Sequence, residues 1–167
     1  AVPALSLQLG FPDDGSQAQG TPLRTGYDLL AEGFGPGVSG PFFVAVETKK
    51  ENDFEALKET IRALNKTKGV ESTLPSIDML PLVELNKDTF GSGGKITSVL
   101  VQPTTSPQDE ATGTLLERIR STTAQEIKKK DGTVILVGGS QAVSTDFTDV
   151  LIKVLPLFLL LVVGMGF

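Results

Sequence analysis

The chain has 167 residues, enough to bury one core, and a net charge of −5 with its Lys and Arg spread out rather than massed. That balance argues against a nucleic-acid partner, whose binding rests on neutralising phosphates. There is no Cys and no His, which excludes disulfides, a thiolate nucleophile, the usual general base and the commonest metal ligand. An enzyme would have to work with carboxylates, Lys or the single Tyr27. Neither catalysis, a cofactor nor a metal is expected.

The opening "AVPALSLQLGFPDDGSQAQG" has no basic region followed by a continuous apolar run, so as it stands it does not read as a signal peptide. Thr21-Pro22 reads as a helix start, a capping hydroxyl followed by proline at the first helical position. Leu23, Tyr27, Leu30 and Phe34 then share one helical face, and Gly33, Gly35, Pro36 and Gly37 stop it. "PFFVAVE" reads as a buried strand. Asn52 is placed to cap a second helix with Glu55 reaching back, its inner stripe being Phe54, Leu57, Ile61 and Leu64. Gly69 ends that helix, and Val70, Ser72 and Leu74 alternate like a half-buried strand. The stretch from Pro75 to Gly94 has no clear period and reads as an excursion carrying one helical turn.

"KITSVLVQP" is a third strand. Ser106-Pro107, with Asp109 in the first turn, opens a long helix whose inner face reads Ala111, Leu115, Ile119 and Ile127. "KKKDG" closes it with cations at the negative end of the helix dipole. "TVILVGG" is the fourth strand, and "SQAVSTDFTDVLIK" shows helical spacing at Val143, Phe147 and Val150 or Leu151. From Pro41 to Gly139 the order is strand, helix, strand, strand, helix, strand: an α+β, ferredoxin-like split βαβ arrangement with two helices on one face of an antiparallel sheet. The expected division is a leading segment and helix over 1–40, the ferredoxin-like subdomain over 41–140, and a helix running into a membrane segment over 141–167.

Few motifs carry chemistry. Gly35-x-Gly37-x-x-Gly40 has dinucleotide-binding spacing, but a helix precedes it and a strand follows, the reverse of the order that brings a helix N-terminus to a pyrophosphate. It reads as a glycine-rich turn. Asp13-Asp14 and Asp109-Glu110 read as turn and helix-start residues, and Lys128–Lys130 as a solvated helix end. Asp146 and Asp149 lie three apart on the helix leading to the terminus, and form a candidate acidic rim at a membrane entrance.

From Val154 to Phe167 there is no charge. Fourteen helical residues reach ~21 Å, short of a ~30 Å hydrocarbon core, and roughly six more apolar residues would complete a span. Pro156 falls in the first turn of this run, where membrane helices tolerate it. The upstream flank carries Lys153 against Asp146 and Asp149, without the cationic excess of a cytoplasmic flank, so the preceding domain is expected outside the cytoplasm.

"LSLQLGFPDDGSQAQGTPLRTGYDLLAEGFGPGVSGPFFVAVE", "SPQDEATGTLLERIRS" and "VGGSQAVSTDFTDVLIKVLPLFLLLVV" resemble the first extracytoplasmic loop and second membrane helix of the MMPL (mycobacterial membrane protein large) transporters of actinobacteria, within the resistance–nodulation–division (RND) superfamily. The likeness covers nearly the whole chain and is weakest from Pro75 to Gly94. It implies the porter domain of a proton-driven exporter of lipids, glycolipids or drugs. It further implies contacts with the bilayer, a second porter subdomain of the same protein, a lipid-like substrate and accessory envelope proteins. The family's proton-relay carboxylates lie in membrane helices that this sequence does not contain. If the reading holds, an apolar cleft is expected, lined by Tyr27 and Phe34 from the first stripe and by Met79, Leu82 and Leu85 from the excursion. The competing reading is a self-contained, tail-anchored ferredoxin-like binding or adaptor module at the outer face of a membrane.

Overall fold

The structure, a computed structural model, describes residues 12–85 and 94–166. The first part of the leading segment, the end of the Pro75–Gly94 excursion and Phe167 lie outside the described residues. The elements in order are α1 (Pro22–Phe34), β1 (Phe42–Glu47), α2 (Phe54–Lys66), β2 (Val70–Leu74), α3 (Leu80–Leu85), β3 (Ile96–Pro103), α4 (Glu110–Arg118), a π-helical turn (Ile119–Thr123), α5 (Ala124–Asp131), β4 (Val134–Gly138) and α6 (Ser140–Gly166). The four strands form one sheet in the order β2-β3-β1-β4, and the pairs are antiparallel. This is the expected α+β, split βαβ arrangement, with α1 before it and the apolar α6 after it.

The core fills the space between one sheet face and the helices. Phe42, Val44 and Val46 of β1 alternate inward, joined by Val99 and Val101 of β3 and Ile135 of β4. Leu57, Ile61 and Leu64 of α2 meet them, with Leu115, Leu116, Ile119 and Ile127 of the second helical stretch. That stretch runs on through the π turn, which adds a residue to one turn and brings Ile119, Thr123 and Ile127 to the core at four-residue intervals.

Several local expectations shift. Asp53, not Asn52, caps α2, accepting from the Ala56 amide at 3.1 Å, while Asn52 takes a left-handed φ of 52°. Asp109 caps α4, and Ser106-Pro107 forms a turn before the helix rather than its first turn. Ala111 is exposed, and Thr112 takes the inward position. In β2 a register shift between Val70 and Ser72 reverses the alternation, so Thr73 turns inward and Leu74 outward. The strands are apolar on both faces, yet the helices cover only one, leaving Phe43, Ile96, Leu136 and Leu74 exposed. In α6 the buried residues are Ala142 and Ser144, while Val143, Phe147 and Val150 face outward.

Candidate functional site

The sheet register brings the start of β2 (Val70), the end of β3 (Pro103), the start of β1 (Phe42) and the end of β4 (Gly138) to one end of the sheet. The apolar helix α6 begins at this end, and α1 is fastened to it. Gln102 donates from Nε2 to the Phe34 carbonyl at 2.6 Å. Gly37 lies so close under Pro103 that a Cβ there would sit 1.9 Å from the Pro103 oxygen, and Gly40 abuts the Pro107 ring. Gly35 ends α1 with φ 90°. The glycines at dinucleotide-like spacing thus serve a helix stop and two close packings. Gly139, opposite the Pro41 carbonyl at φ 120°, makes the tight exit from β4 into α6.

At the other end of α1, Thr21 caps the helix and Arg24 donates to Gly15 O at 2.7 Å and to Asp28 at 2.8 Å. Tyr27 lies against Gly15, with its hydroxyl bonded to Ser106. Loss of water around the ring, reinforced by the nearby Asp13 charge, raises the phenol's pKa above its usual 10.0. No residue of α1 is fully buried; Leu23, Leu30 and Phe34 (68% exposed) form an apolar stripe that the described residues leave bare. Phe34 is therefore available to line a path, whereas Tyr27 is half-buried in the domain's own packing.

Met79, Leu82 and Leu85 are likewise exposed, at the 3-10 turn Ile77–Met79 and on α3, where only Leu80 is buried. This segment packs against α2, while α1 packs on the turns that flank it. The two proposed linings thus belong to different neighbourhoods of the domain.

Asp146 is engaged rather than free. Arg120, on the π turn, donates to both of its carboxylate oxygens at 2.5 and 3.0 Å and also to the Val137 carbonyl at 3.1 Å. One guanidinium therefore joins the second helical stretch, the end of β4 and the base of α6. Asp149 is exposed one turn further on. Arg120 escaped the sequence reading because its partner lies 26 residues away and no local spacing announces it. The exposed sheet face was missed as well; its signal was the unbroken apolar run in "FFVAV".

α6 has 27 residues, ~40 Å of helix, and is long and apolar enough to cross a membrane. From Asp149 to Gly166 every residue is exposed, so the helix stands clear of the domain. Among the described residues there is no cluster of acidic side chains able to hold a metal.

No family model matches the chain. It is similar to membrane protein YdfJ of Bacillus subtilis (strain 168), with 34% identity over 169 aligned positions. The alignment covers all of this chain and 21% of that protein. The chain thus spans about a fifth of the curated relative it matches. A membrane-protein relative and a bare apolar helix together support a membrane-associated role.

Proposed function

We propose that this chain is the extracytoplasmic porter-type domain of a proton-driven membrane exporter of the MMPL type within the RND superfamily, carrying lipids, glycolipids or drugs. The observation that carries the reading is the direct join of a split βαβ domain to a bare apolar helix, in a chain that aligns throughout with part of a membrane protein. In this reading the subdomain over 41–140, with the helix before it, forms part of the wall of a substrate path, and 141–167 leads into the bilayer. The chain performs no chemical step and takes no cofactor; its work is shape, apolar contact and relative motion. The stripe ending at Phe34 and the exposed Met79, Leu82 and Leu85 meet substrate or a companion porter subdomain, and the bare sheet face around Phe43 and Leu136 suits such a companion. Accessory envelope proteins are further partners.

Two measurements on the full-length protein test this. The chain has no Cys, so one Cys placed at exposed Ser121 reports its side of the membrane. A membrane-impermeant maleimide should label it in intact cells, and labelling only after permeabilisation would overturn the topology. Cells making the full protein should accumulate less of a hydrophobic fluorescent dye than cells lacking it, with the difference abolished by a protonophore. Equal accumulation across dyes and labelled lipids would overturn the exporter reading.

A further inference from the structure

The apolar face of α1 is built for close contact with another helix. Leu23, Gly26, Leu30 and Gly33 follow one another at steps of three, four and three residues, the spacing of a helix–helix seam. Leu29 flanks this seam on one side, and Phe34 lies at its other edge. The four large apolar side chains each keep about half or more of their surface open. The opposite side of the helix holds it to the domain: Arg24 and Ala31 are half-buried there, and Arg24 reaches the Gly15 carbonyl. The seam therefore points away from the domain. It carries no charge, since Arg24, Asp28 and Glu32 stand outside it.

Its two glycines serve nothing within the described residues. Glycine inside a helix lowers stability relative to alanine. Gly35, not Gly33, makes the stop of α1. A Cβ built on Gly26 or Gly33 would meet nothing within 4 Å, and both residues are exposed. Small residues on a bare seam let a second backbone come near.

The order of large and small residues specifies whose backbone that is. Consider an identical helix laid against the seam in the opposite direction, with a two-fold axis at Asp28. Leu23 then lies over Gly33 of the other copy, Leu30 lies over Gly26 of the other copy, and symmetry repeats both pairs. Each leucine enters the hole left by a glycine, and Leu29 meets its counterpart beside the axis. A parallel pair would stack leucine on leucine and glycine on glycine, crowding one level and emptying the next. A second copy supplies the matching alternation without any further residue.

We propose that α1 is a self-association helix, through which two copies of this chain pair in an antiparallel, two-fold contact of Leu23, Gly26, Leu29, Leu30 and Gly33. Thirteen residues a side make a contact at the small end of protein interfaces, too small to join two free domains. Copies confined to one membrane meet at a higher effective concentration. The inference rests on the membrane placement proposed above and not on export. Phe34, Met79, Leu82 and Leu85 are left to substrate or the companion subdomain.

The test uses the full-length protein in its membrane, with any cysteine outside this chain replaced by serine. Single cysteines are placed on α1 and treated with a short bismaleimide. About the axis at Asp28, Leu29 lies ~3 Å along the helix from Leu29 of the other copy, whereas Leu23 lies ~15 Å from Leu23 of the other copy. L29C should therefore give a covalent dimer and L23C should not. Adding G26L/G33L to L29C fills the holes and should lower the dimer yield by roughly tenfold. Both glycines face open space, so the domain's own packing is spared. Absence of dimer from L29C overturns the pairing, and equal dimer from L23C overturns the antiparallel register. An unchanged yield in G26L/G33L overturns the seam. Lost dye export with the cross-link intact would strike the exporter reading alone, and intact export without the cross-link would strike this inference alone.

Discussion

The ferredoxin-like core and the two helices that flank it use apolar residues in opposite ways. In β1 the inward positions Phe42, Val44 and Val46 are completely buried, and the helices over them turn their apolar stripes toward the same layer. In α1 and α6 comparable stripes point away from the domain: Leu23, Leu30 and Phe34 on one, Val143, Phe147 and Val150 continuing into the uncharged run on the other. Burial of apolar area drives folding, so the core residues explain why the chain folds. Among the described residues nothing covers the flanking stripes, so they contribute little to that, and their cost in water points to a further contact. The difference separates what builds the domain from what attaches it to something else.

The largest effect should come from crossing that line with one residue type. Phe42→Ala removes a fully buried ring from the centre of the sheet and should cost about 3–5 kcal/mol. Phe34→Ala, on the bare stripe, should change stability by no more than about 0.5 kcal/mol. Denaturant unfolding of the full chain in micelles measures both. Similar losses would mean that the stripe is packed, and the contrast would collapse.

A second substitution moves the question to α6. Leu160→Arg places a charge in the uncharged run, where insertion scales assign about 2.5–3.5 kcal/mol against membrane entry. The fraction of full-length protein with this helix inserted should fall sharply, while unfolding of the ferredoxin-like core stays as in the parent. A core destabilised in parallel would show that α6 is part of the fold rather than an appendage to it.

The joint between the two regions should respond more weakly. Arg120→Gln loses both bonds to Asp146 and the one to Val137 O, yet Asp146 is exposed and Arg120 only part-buried, and pairs open to water contribute about 1 kcal/mol or less. Its more telling readout is hydrogen exchange at the first turns of α6, which should quicken while exchange in β1 and β3 is unchanged. Uniform change would make Arg120 a core residue in energetic terms.

How much of this could be read beforehand follows the same division. Strand alternation, the Thr21-Pro22 start and the Gly132 stop depend on neighbours within a few residues, and these elements appear where the pattern placed them. The bulge that turns Leu74 outward and the π turn that carries Thr123 to Thr67 depend on partners 30 and 56 residues away, and left no local trace. Asn52 and Asp53 are both good caps, and only the backbone shows that the second does the capping. A helical period also identifies an apolar face without saying what covers it. Val143 and Phe147 mark a helical face by their spacing, yet that face is exposed, and small Ala142 and Ser144 are the residues α6 buries against the domain. The candidate path residues show the same limit: Phe34 and Leu82 are apolar and bare as required, but their spacing could not reveal that they sit in separate neighbourhoods.

The smallest effect tests whether the contact between α2 and α5 at Glu59 belongs to the rigid core or to the adaptable surface. Glu59 is gripped by Arg62 and Lys130, and those hydrogen bonds hold its pKa below the usual value of 4.5 in the folded chain. A carboxylate lowered on folding contributes stability above its unfolded pKa, and that contribution fades as pH falls from there through the folded value. The dependence should therefore lie below about 4.5 and be absent at neutral pH. Replacing Glu59 with Gln should flatten the acid limb slightly and leave the neutral value nearly unchanged, because exposed pairs hold little energy. A large loss at neutral pH in Glu59→Gln would instead make this ion pair the element that keeps α2 and α5 apart.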